Sequence, residues 1–126
     1  LVIAEGVQLF EMRWNGTKLF FKEIDFSKTY IWASATLYST EVVQKRNLWF
    51  TKWLETNPSP TVESIVAFHE FAGDGNTEND LVMSRGTVLK TVSITSVKRV
   101  DANLIMLHKN LLLSSAEENI HTTIFK

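Results

Sequence analysis

The sequence predicts an α+β fold, an antiparallel sheet carrying a two-helix layer. Three observations predict it: strand-like segments at both ends of the chain, alternating in the first and rich in β-branched residues and leucine in the last, two apolar stripes at helical spacing between them, and turn residues at the joins. The order is strands, helices, strands, without an internal repeat or an interdomain linker. Residues 1–126 therefore read as a single domain or as the carboxy-terminal portion of a larger one.

The opening Leu-Val-Ile-Ala carries no initiating Met and predicts that residue 1 lies within or beside a strand of something longer. VQLFEMRW, Asn15-Gly16 and TKLFFKEIDF then read as a hairpin, because Asn-Gly accepts the positive φ angles of a two-residue type I′ turn. Gln8, Phe10, Met12 and Trp14 share one face by alternation. YIWASATLY, residues 30–38, reads as a third strand after a break at Ser27-Lys28.

Ser39 or Thr40 is placed to cap a helix running to about Glu55, with Glu41 favourable beside the positive end of its dipole. Val42, Val43, Trp49, Phe50, Trp53 and Leu54 form its apolar stripe, and Glu41, Lys45, Lys52 and Glu55 its solvated side. Arg46 falls on the apolar side, where a guanidinium needs a carboxylate partner or a route to water. Its stem is expected over Trp49 with the head at the edge, the other reading being a ligand-binding arginine. After Asn57-Pro58, Ser59 followed by Pro60 predicts the start of a second helix, with Val62, Ile65, Val66, Phe68 and Ala72 inward and Gly73 at its end. GDGNTEND is a polar loop. VLKTVSITSVKRV and ANLIMLHKNLLL read as two more strands joined around Asp101 to Asn103, and the tail SSAEENIHTTIFK is weakly patterned.

Thirteen basic and fourteen acidic residues leave a formal charge of -1, which provides no field to steer nucleic acid, and no nucleic-acid partner is expected. No apolar run approaches the roughly 18 residues that span a bilayer. Cysteine is absent, which excludes disulfides, thiolate metal sites and thiol nucleophiles within these residues.

Asp74, Asn76, Glu78 and Asp80 alternate as calcium ligands do, but Asn79 stands where a sharp turn needs Gly and Arg85 where a bidentate Glu is needed. A solvated acidic loop is the expectation there. His69, His108 and His121 have no metal-ligand spacing, so no metal or other cofactor is expected. The hydroxyls of Ser34, Ser84 and Thr87 lie near expected strand ends without a histidine placed as their base. GxSxG, a phosphate-cradling glycine loop and GxGxxG are all missing, and no catalysis intrinsic to these residues is expected.

Two segments, IWASATLYSTEVVQKR and MSRGTVLKTVSITSV, carry a family resemblance. The first resembles the SNxxLxxPWxK region of the NRDE proteins, the family that includes the transport and Golgi organisation protein. The second resembles its TRSSTVLLVD strand. In that family a hydrophobic helix follows the first segment and the second opens a late hairpin, an order and spacing matched here over roughly residues 30 to 100.

The resemblance implies a branch of the N-terminal-nucleophile (Ntn) hydrolases. Two antiparallel sheets would lie between helical layers, with an amino-terminal Cys as nucleophile and its own amine as base, acting on amide bonds. This chain would be the later part of such a protein. The Cys and the Asn-Arg-Asp-Glu run that names the family are absent from these residues, and Ala35 stands where the family has Asn, removing an amide donor that could serve an oxyanion hole. Arg85 is the polar position retained from the pattern. Arg85 and Ser34 are the candidate residues for binding a small-molecule ligand, and no catalytic residue is assigned. For Arg85 the competing expectation is an ion pair with Asp80 or another nearby acid. Two readings stay open: part of an amide hydrolase, or a non-catalytic ligand-binding or scaffolding module.

Overall fold

The computed structural model describes residues 1–34, 36–112 and 120–125. The fold is α+β, with helices and short strands whose pairings among the described residues form small antiparallel sheets. The chain divides into two compact units, Leu1–Trp32 and Ala33–Lys126.

In the first unit, β1 (Val2–Glu5), β2 (Gln8–Trp14) and β3 (Leu19–Ile24) form an antiparallel sheet in that order. The β2–β3 turn differs from the expected one by one residue. Asn15 keeps a negative φ, and its side-chain oxygen accepts from the amides of Thr17 and Lys18, while Gly16 alone takes a positive φ of 95°. Gly16 and Thr17 are thus the central pair, and a single positive φ at the first of them is the requirement of a type II′ rather than a type I′ turn. The register places Ile3 and Glu23 beside Phe10, and Phe21 beside Met12, so that Phe10 and Phe21 stack diagonally at 5.2 Å. Ile24 is buried on the opposite face.

The third strand expected over residues 30–38 does not form among the described residues: 29–34 are irregular and 36–38 form a turn. The polar tips of its aromatics hold the segment instead of a backbone ladder. Tyr30 donates to the Asp25 carbonyl, Trp32 donates to the Glu11 carboxylate, and the two rings stack at 5.5 Å.

In the second unit, α1 (Thr40–Thr56) is capped by Ser39, whose side chain accepts from the Val42 amide. The second helix starts later than expected: α2 (Val62–Phe71) is capped by Thr61 and not by Ser59. Thr61 and Ser64 each accept from the other's backbone amide, a reciprocal box that Ser59 could not form because Val62 stands three residues after it. Phe50 and Trp53 of α1 meet Phe68 of α2 at ring separations of 5.7 and 4.9 Å, and Phe68 is buried. Ile65, expected inward, is exposed.

The strand expected over residues 88–100 is split. β4 (Ser84–Arg85) pairs with β5 (Leu89–Lys90), and β6 (Ser93–Val100) begins separately. Thr91, between them, turns to the preceding loop: its hydroxyl accepts from the Met83 amide and donates to the Leu81 carbonyl. β6 pairs with β7 (Asn103–Asn110) across Asp101, whose φ is 53°, and β7 pairs with β8 (Ile120–Phe125). The weakly patterned tail therefore ends in a strand, while residues 113–119 and 126 lie outside the described residues. An ion pair between Lys109 and Glu70, with oxygens at 2.7 and 2.5 Å, ties β7 to α2.

Candidate functional site

Arg46 is the one charged side chain found buried among the described residues, 7% exposed. Its guanidinium carbon lies 3.7 Å from the centre of the Tyr38 ring, and its Nε and Nη2 donate to the Asn79 carbonyl at 3.2 and 3.1 Å. Nη2 also donates to the Asp80 carbonyl at 2.7 Å. The head is thus not at the edge in water, as its sequence position suggested. Tyr38, just before the cap of α1, covers it, and a loop more than thirty residues away satisfies it.

Arg85 reaches the same place from β4. Its Nε donates to the Glu78 carbonyl and its Nη2 to the Leu37 carbonyl, both at 3.1 Å, and its guanidinium carbon is 5.4 Å from the Tyr38 ring centre. The expected ion pair with Asp80 is not made. Asp80 Oδ1 accepts from the Asp74 amide, and a Cβ placed on Gly73 would overlap the Asp80 carboxyl group, so Gly73 permits that approach. Three consecutive carbonyls, of Glu78, Asn79 and Asp80, are therefore held by two arginines from different elements.

The acidic loop organises itself around short side-chain caps. Asp74 accepts from the Asn76 amide, Asn76 accepts from the Glu78 amide, and the Asn76 carbonyl accepts from the amides of Asn79 and Asp80. Lys45 of α1 pairs with Asp74 at 2.6 Å and, with the Asn76 amide, holds that carboxyl below its ordinary range. Among the described residues no group of three or more His, Asp or Glu is arranged to hold a metal.

Ser34 is exposed, with its hydroxyl 3.4 Å from that of Thr36, and its carbonyl accepts from the Leu37 amide. Ser34 and Arg85 are thus joined through one turn, Ser34 at its start and Arg85 bound to the carbonyl of Leu37. Ala35, where the family has Asn, lies outside the described residues. Elsewhere in the unit, a groove of about 230 Å³ between α2 and β6 is lined by Val62, Val66, His69, Ile94 and Thr95 among others. His69 bonds the Ile65 carbonyl through Nδ1, and His108 bonds the Thr95 hydroxyl opposite it in the sheet. The side chain of His121 lies outside the described residues.

The part of Tyr38 was not visible in the sequence, where it reads as a strand residue. Arg46 was visible as a cation on an apolar stripe, but backbone carbonyls leave no residue-type signal of their own. The chain matches no family model, and no curated protein or solved structure is significantly similar to it.

Proposed function

We propose that this chain is the later part of an Ntn-hydrolase-like protein of the NRDE kind, framing an amide-hydrolysing site whose Cys nucleophile lies outside these residues. The observation that supports the reading is the hydrogen bond from Arg85 to the Leu37 carbonyl. It joins the two segments that carry the resemblance, 48 positions apart in the chain. The elements also follow the family's order: α1 begins within the first segment and runs on beyond it, and β6 in the second opens the hairpin with β7. The layered sandwich of two sheets is the larger architecture this reading expects.

Arg85→Lys keeps the charge and loses the planar fork. In the protein made from its whole reading frame, this substitution is expected to lower amide hydrolysis tenfold or more while moving stability by less than about 1 kcal/mol. Unchanged turnover would remove Arg85 from the site. A second reading, a non-catalytic binding or scaffolding module, is favoured by the way both arginines spend donors on backbone carbonyls. An absence of hydrolysis by the whole protein, with a stable fold, would select it.

A further inference from the structure

We propose that Arg85 and Arg46, around Tyr38, bind the carboxylate of a small ligand. Two permanent cations share one aromatic ring, and among the described residues neither forms an ion pair with a carboxylate. A guanidinium cannot relieve such a position by losing its proton, and carbonyl dipoles return only part of the lost hydration. The acids of the adjoining loop are committed elsewhere: Asp74 to Lys45, and Asp80 to the Asp74 amide. Glu78 offers Arg85 its carbonyl and not its carboxylate.

The donors divide in the same way in both arginines. Nε and Nη2 donate to backbone carbonyls, those of Asn79 and Asp80 from Arg46 and those of Glu78 and Leu37 from Arg85, whereas Nη1 makes no hydrogen bond among the described residues. Arg85 is half-buried with its guanidinium carbon 5.4 Å from the Tyr38 ring centre, and Arg46 adds its charge 3.7 Å from the same ring. A carboxylate matches the fork of a guanidinium and draws on both charges. The exposed hydroxyls of Ser34 and Thr36, on the turn that Arg85 holds, are placed to bond a polar group next to that carboxylate. This inference stands on the charge arrangement and needs no hydrolysis.

The test is a titration of the 15N-labelled protein with sodium N-acetylglycine, its neutral relative N-acetylglycinamide, and inorganic phosphate, observed at the arginine Nε–H resonances. The expected result is a saturable shift at Arg85 and Arg46 with N-acetylglycine, tighter than about 10 mM and weakened by added salt, and none with the neutral amide. Phosphate is expected to compete more weakly, since the site is assigned to a carboxylate. Arg85→Gln is expected to weaken binding at least tenfold, while Lys90→Gln, exposed on β5, leaves it unchanged. Because Arg85 also holds the loop, the unmodified protein decides the matter if that variant fails to fold. Equal shifts with the neutral amide, no saturation, tighter binding of phosphate, or a folded Arg85→Gln that binds as before would each overturn the proposal.

Discussion

Arg46 holds the 78–80 loop against α1 with three bonds from a buried cation. Arg46→Met keeps the apolar stem but strands the carbonyls of Asn79 and Asp80. It is expected to destabilise the protein by roughly 2–4 kcal/mol in a denaturant titration. A loss below about 0.5 kcal/mol would mean that water replaces the guanidinium there. At this scale the sequence marked the anomaly and not its solution. An arginine between valines and tryptophans is conspicuous, yet its partners are main-chain oxygens and a tyrosine brought in by the turn before the helix. Arg85 was legible as a polar position worth testing. Its ion-pair partner was misassigned because Asp80, the nearby acid, spends its carboxylate on the Asp74 amide.

Both helices were legible from apolar spacing, and the cap of α1 from Ser39. The start of α2 was not, because Ser59-Pro60 is a good local signal that loses to a reciprocal pair beginning two residues further on. Thr61→Ala is accordingly expected to cost about 0.5–2 kcal/mol, and Ser59→Ala almost nothing. The reverse order would return the cap to Ser59. The strand over 88–100 broke for a related reason: Thr91 has the β-branched shape of a strand residue, but its hydroxyl is used by Leu81 and Met83. Lys45 and Asp74 add a pH-sensitive link between α1 and the loop. The folded Asp74 carboxyl lies below its ordinary value of 3.8, chiefly through Lys45 and then through the Asn76 amide. Its contribution is therefore complete above that value and is lost as pH falls through the lower, folded one. The stability difference between the protein and Asp74→Asn should be constant near neutrality and shrink in acid. A difference that grows on acidification would contradict this assignment.

For the whole molecule, the α+β class was legible because alternation and helical spacing are properties of long segments. The division near Trp32 was not, since no glycine, proline or charged linker marks it and the aromatics at 30 and 32 read as strand. The three sheets found among the described residues were equally hidden, because pairing partners are set by register and tertiary contact. The central claim is that these residues frame, and do not contain, the nucleophile of an amide hydrolase. It is tested most directly by intact mass and peptide mapping of the protein produced from its whole reading frame and treated with iodoacetamide. The account predicts a mature chain beginning with Cys upstream of Leu1, a single adduct on that residue, and loss of amide hydrolysis in step with labelling. A mature chain without an amino-terminal Cys, or hydrolysis that survives complete alkylation, would contradict it.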